Sequence, residues 1–376
     1  MSTPETSEVD TRGGPLSGGD RVRGGDRVYV ELDGLRGVAA LAVVLMHLHE
    51  QFGAAGAVLD RHAYLAVDFF MLLSGFVIAH AYEERLRDPA ARRGFLIDRV
   101  IRLYPLLILG AVVGFFSAAV SPDYGGAGLS ALYLVAAIIP LPMPPIGDAW
   151  AAFPLNFPTW SLFWEIILNV AVAFVAPNLT TRRLMVMVAL CLSATLALGM
   201  QHGRIDIGAT FPGVIGSAPR MTGEFAAGVL LLRMHRKGWF ARGGVRWWVP
   251  VIVVACFYLL PKEHGWSLAF DMIAIAVVLP CSILLAAGSE PVMPALARVS
   301  GSVSYPLYIL HIPLSGLVAF AFDRAGVRWG VVSGSVAVLI VVAAAYGALV
   351  LYDQPLRGAL RRRFGSRRHR GVTGGA

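Results

Sequence analysis

The stretch Glu31–Glu50, ELDGLRGVAALAVVLMHLHE, constrains this chain more than any other. It is an apolar helix that carries ionisable groups where a membrane helix should have none. Asp33 and Arg36 stand at its entrance, and His47 follows eleven residues after Arg36. Eleven steps of about 100° fall within roughly 20° of three full turns, so Arg36 and His47 share one face, roughly 16 Å apart along the axis. An ionisable group inside a bilayer is costly and marks a functional site with a partner elsewhere in the chain.

The rest of the sequence fits a membrane setting. Of its 376 residues 56% are apolar and 15% charged, and the mean hydropathy is +0.65. That excludes an ordinary soluble domain and predicts an all-α, polytopic integral membrane helical bundle in a lipid bilayer. Cys191, Cys256 and Cys281 lie in apolar runs without CxxC spacing, so they read as packing residues; no metal or disulfide framework is expected. Residues 1–32 are polar, Gly-rich and charged, which predicts a disordered tail and no cleavable signal peptide.

Apolar runs fall near 34–50, 63–82, 103–121, 160–177, 184–200, 221–232, 248–261, 266–287, 303–322 and 329–352. They predict about ten spans across residues 33–352, followed by a basic tail at 353–376. The Pro-rich segment 122–159 holds only one short apolar run, Leu129–Ile139, and reads as an external or re-entrant element. Charge orients the bundle. With both termini cytoplasmic, 25 of the 32 Lys and Arg fall in cytoplasmic segments, as the positive-inside rule requires. The net charge of +8 therefore belongs to topology and lipid headgroups, and nucleic acid is not an expected partner.

Several polar groups recur at matched depths. In AYLAVDFFMLLSGF, Asp68 lies about one and a half turns into the second span, as His47 lies below the outer end of the first. Asp68 is therefore predicted to orient the His47 imidazole, the alternative being a structural His–Asp pair. Glu165, in PTWSLFWE, has the same depth and is predicted to place an incoming hydroxyl or to make an interhelical hydrogen bond with Asn169; Ser161 precedes it at the interface. Ser74 and Gly75 read as a small-residue helix contact or, less simply, as a nucleophile site. Arg99 and Arg102, at i and i+3, clamp a phosphate or serve as topology signals. Glu224 reads as a snorkelling carboxylate, and Asp271 has no assigned role. Tyr305, Tyr308 and His311 form a polar stripe on a late span.

These residues sit in strings that resemble the acyltransferase-3 family of polytopic membrane acyltransferases. The strings are LDGLRGVAALAVVLMH, VDFFMLLSGFVI, FLIDRVIRLYP, PTWSLFWE, SYPLYILH and YDQPLR, in the family's order over about 325 residues. The family's Arg-x10-His motif maps onto Arg36 and His47, and its Arg-x-x-Arg motif onto Arg99 and Arg102. The resemblance implies transfer of an acyl group, often acetyl, from cytoplasmic acyl-CoA to a carbohydrate or glycoconjugate hydroxyl, at the cytoplasmic (inner or plasma) membrane. Arg36, Arg99 and Arg102 are then expected to hold the CoA phosphates. His47 acts as general base or takes the acyl group covalently, with Asp68 and Glu165 assisting. Asp33 pairs with Arg36, and Ser161, Tyr305, Tyr308 and His311 are further cavity candidates. The competing expectation is a proton-coupled transporter of an acylated or anionic solute, for which an intramembrane Arg, His and Asp suit equally well.

Overall fold

The computed structural model describes residues 29–59, 61–120, 131–144, 151–239, 246, 248–260, 267–289 and 293–365. Most of the predicted N-terminal tail, parts of 122–159, the turn Lys262–His264 and the last residues of the basic tail lie outside the described residues.

Eleven principal helices follow in order: α1 Val30–His47, α2 Ala66–Tyr82, α3 Ala91–Val120, α4 Ala131–Ile138, α5 Thr159–Val175, α6 Thr181–His202, α7 Ala218–Arg236, α8 Trp248–Tyr258, α9 Ser267–Gly288, α10 Pro294–Arg324 and α11 Val331–Phe364. Among the described residues the only β pairing is an isolated bridge between Ala151 and Thr210.

Each of the ten apolar runs falls on a helix, but fewer helices are built to cross a membrane alone. Among the described residues seven are long and apolar enough, and α1 with the turn His49–Ala57, bent by 84° from it, is an eighth if the two form one span. The run 221–232 lies in α7, which carries Arg220, Glu224, Arg233 and Arg236 in 19 residues. The run 248–261 is α8, whose 11 residues rise about 16 Å, half of a hydrocarbon core. At the other end, α11 continues past residue 352, where the tail was expected, as far as Phe364.

The packing gives the bundle two chemically distinct ends. α1 and α10 run parallel, with Asp33 beside Gly301 at one end and His47 against His311 at the other. α3 follows the same direction: Tyr305 donates to the Leu103 carbonyl at 2.7 Å, and Ser117 lies beside Gly316 further along. α2 runs opposite to α3, so Tyr82 reaches back to Asp98. Arg36, Arg99 and Arg102 thus collect at one end, the arginine end. His47 and His311 collect at the other, the histidine end.

α2 and α7 touch backbone to backbone. A Cβ on Gly228 would lie 1.9 Å from the Leu72 carbonyl oxygen, and one on Gly75 would lie 2.0 Å from that of Phe225. Small residues at these positions let the helices close, which is the small-residue contact read from LSGF. In α10, Pro313 removes the N–H that would bond the Ile309 carbonyl. Asn156 takes up that carbonyl at 2.8 Å and ties the approach to α5 onto α10.

Gly228→Ala is expected to lower stability by about 1–3 kcal/mol through this overpacking. Gly347, whose Cβ would meet nothing within 4 Å, is expected to accept Ala without loss. Thermal unfolding of the two variants in detergent checks the contrast.

Candidate active site

α1, α2, α3, α5 and α10 enclose a cavity of about 110 Å³. Seven of the residues singled out in the sequence line it: Arg36, Arg99, Arg102, Ser161, Glu165, Tyr305 and Tyr308. Ser74 joins them, with an apolar wall that includes Phe70, Met71, Val77, Leu103 and Leu162.

At the arginine end positive charge is only partly compensated. Arg36 lies 3.5 Å from Asp33. The Arg99 guanidinium lies over the Tyr82 and Phe95 rings, 5.3 and 5.6 Å from their centroids, and its Nε has no hydrogen-bond partner among the described residues. Half-buried Arg102 makes no hydrogen bond or ion pair among those residues. Halfway along, Glu165 accepts a hydrogen bond from Ser74 at 3.3 Å and lies within electrostatic reach of Arg36 and Arg99. A half-balanced cation cluster in a low-dielectric wall is built for an anion.

The histidine end is made of hydroxyls and imidazoles. Ser161 and Tyr308 hydroxyls lie 2.7 Å apart, and the Pro158 carbonyl oxygen lies 3.2 Å from Ser161 Oγ and 3.4 Å from the Tyr308 hydroxyl, so when Ser161 donates to Tyr308 the Tyr308 proton is left for another acceptor. Behind Tyr308, His311 is fully buried, and its Nδ1 lies 2.7 Å from the Tyr308 carbonyl oxygen. A carbonyl only accepts, so His311 Nδ1 carries the proton and Nε2, in the neutral ring, is an acceptor. His47 Nδ1, 2.9 Å from that Nε2, is then the donor. The chain of bonds fixes the His47 tautomer, with its lone pair on Nε2. His47 packs edge-on against Phe157, with ring centroids 5.0 Å apart.

The acyltransferase domain family Acyl_transf_3 matches residues 29–352. The chain belongs to the acyltransferase-3 family. A Rhizobium radiobacter protein described as Protein 2 in picA locus is 36% identical over 163 residues, covering 39% of this chain and 81% of that protein. Acyltransferase MdmB of Streptomyces mycarofaciens is 28% identical over 292 residues, covering 68% of this chain and 69% of that protein. No solved structure matches. Family membership and the apolar helices make the chain a multi-pass membrane acyltransferase.

The geometry corrects the expected grouping within this family framework. His47, Asp68 and Glu165 do not converge. Glu165 belongs with the arginines, and the ring partner of His47 is His311. Fully buried Asp68 spends both oxygens on Arg220, accepting from Nε at 2.6 Å and from Nη2 at 2.5 Å. Arg220 also donates to the Ile205 carbonyl. The sequence does not single out Arg220; the signal available was its i,i+4 spacing to Glu224 at the start of the 221–232 run. Glu224 does not snorkel: it is 2% exposed on α7. Asp271 gains a structural setting, accepting from the Tyr64 hydroxyl at 2.5 Å with His62 3.3 Å away.

The bond between Asp68 and Arg220 generates a test that separates structure from catalysis. Removing one partner strands the other as a buried charge. Arg220→Met and Asp68→Asn are each expected to cost about 3–5 kcal/mol, and the double variant less than their sum. Unfolding midpoints of the four proteins form the cycle. An Asp68→Asn protein of normal stability would return Asp68 to a catalytic role.

Proposed function

We propose that this acyltransferase draws its acyl group from cytoplasmic acyl-CoA and passes it to a hydroxyl of a carbohydrate or glycoconjugate on the other side of the membrane. The observation that carries the proposal is the polarity of one cavity: under-compensated arginines at one end, paired hydroxyls backed by two histidines at the other. The acetyl group rests on the family resemblance. The excess of Lys and Arg in the predicted cytoplasmic segments supports an arginine end facing the cytoplasm of the inner membrane, with about ten crossings and both termini inside. The carbohydrate acceptor rests on the family resemblance.

In this scheme Arg36, Arg99 and Arg102 bind the donor phosphates as charge-assisted forks. The pantetheine arm runs past Ser74 and Glu165 and brings the thioester to Ser161 and Tyr308. The Tyr308 hydroxyl, oriented by Ser161, donates to the thioester carbonyl oxygen as negative charge builds there. His47 Nε2 takes the proton of the acceptor hydroxyl while that oxygen attacks the carbonyl carbon. The C–S bond breaks, and the proton passes from His47 to the departing CoA thiolate. His311 holds the His47 ring in its working tautomer, the task expected of Asp68.

Purified protein in detergent, given acetyl-CoA and an envelope glycan fraction, is expected to release free CoA. His47→Ala is expected to lose at least about 100-fold in rate with the unfolding midpoint retained. His311→Ala is expected to lose less, about 10- to 100-fold, as a positioning residue. Equal release by wild type and His47→Ala would remove His47 from the mechanism.

A further inference from the structure

The YDQPLR string is the one family-like motif that the reaction scheme leaves unused. In the fold it ends a π-turn, Leu349–Asp353, and opens the last stretch of α11, Gln354–Phe364, which packs against α3. Asp353 is fully buried there. Arg357, one turn later, donates to its Oδ2, while Oδ1 has no hydrogen-bond partner among the described residues. Both lie within electrostatic reach of Arg102 and Tyr305, which line the cavity. Arg357 stands just beyond them, outside the lining residues. A π-turn that delivers a buried ion pair to the rim of a substrate cavity is a local distortion typical of working sites.

Charge and order both select a ligand. Coenzyme A carries a pyrophosphate nearer its thiol and a phosphomonoester on the ribose further out. Arg36, Arg99 and Arg102, with Asp33 beside Arg36, carry a net charge of about +2, which the two charges of the pyrophosphate balance; Asp353 likewise offsets Arg357, which keeps donors that Asp353 does not use, and the further positive charge is that of Arg361. The monoester adds about −1.5 to −2 at neutral pH. With the thioester at Ser161 and Tyr308, the monoester lies further out than the pyrophosphate, where Arg357 stands, with Arg361 one turn beyond it. We propose that Arg357, held in place by Asp353, binds the ribose 3′-phosphate of the donor. This rests on the acyl-CoA reading above and extends it to a second phosphate subsite on the C-terminal helix.

The test measures binding of CoA and of 3′-dephospho-CoA to the full-length protein in detergent by calorimetry. Wild type is expected to bind CoA at least about 10-fold tighter than 3′-dephospho-CoA, the worth of one charge-assisted contact. Arg357→Gln is expected to lose that factor for CoA and to bind 3′-dephospho-CoA as wild type does. Arg357→Lys is expected to keep part of the preference, and Arg363→Gln, on the exposed side, all of it. Equal binding of the two ligands by wild type overturns the proposal even if no variant folds. So does an equal loss for both ligands in Arg357→Gln. In either case CoA binding that Arg102→Gln weakens keeps the donor reading alone, whereas binding of neither ligand by wild type overturns both.

Discussion

The cost of a charge in hydrocarbon governs this molecule. Each buried ion must find a partner or be answered by a ligand, because the effective penalty of several kcal/mol exceeds what packing returns. At the histidine end, α2 and α7 meet the demand internally: Asp68 and Arg220 close a two-point pair, and the Ile205 carbonyl takes a further donor. The arginine end does not meet it. Arg99 and Arg102 face a cavity with no carboxylate bonded to them among the described residues. The same physics therefore separates a structural clamp from a binding site.

How much of this the sequence disclosed follows from the range of each interaction. The arginine pair was legible because it depends on i,i+3 spacing, which a helix fixes locally. So was the shared face of Arg36 and His47. The partner of His47 was not. Depth in a membrane gives a residue its height but not its neighbour, and three side chains at one height on three helices can face three directions. Asp68 and Arg220 are 152 residues apart, and His47 and His311 are 264 apart. The sequence placed His311 on a polar stripe without a link to His47. Asn156 gave no sign either, since its task arises only when Pro313 frees the Ile309 carbonyl.

The apolar runs and the packing of their helices follow from related causes. Hydropathy found a helix in every predicted run, because backbone groups in a bilayer must bond within their own segment. α7 differs from the others in that a helix enclosed by α2, α5, α6 and α9 can carry four charges that a lipid-facing helix could not. α6 is the converse: Met185, Leu190 and Met200 are exposed on it, as suits a helix whose other surface meets lipid tails.

An imidazole in place of a carboxylate as orienter changes what the site can hold. A carboxylate beside His47 would stabilise the imidazolium and keep a charge in the cavity wall at all times. Neutral His311, donating to the Tyr308 carbonyl, fixes the same tautomer without adding a buried ion. In a membrane that difference matters, since His311 adds no further anion to a cavity that already holds Glu165. The Tyr308 residue then joins the two halves of the chemistry: its hydroxyl faces the cavity beside Ser161, and its carbonyl sets the histidine pair. A displacement of α10 at this turn would move the Tyr308 hydroxyl and the histidine pair together, so in the proposed scheme the local break that Pro313 makes in the helix, and the Asn156 contact that holds it, serve the reaction as well as packing.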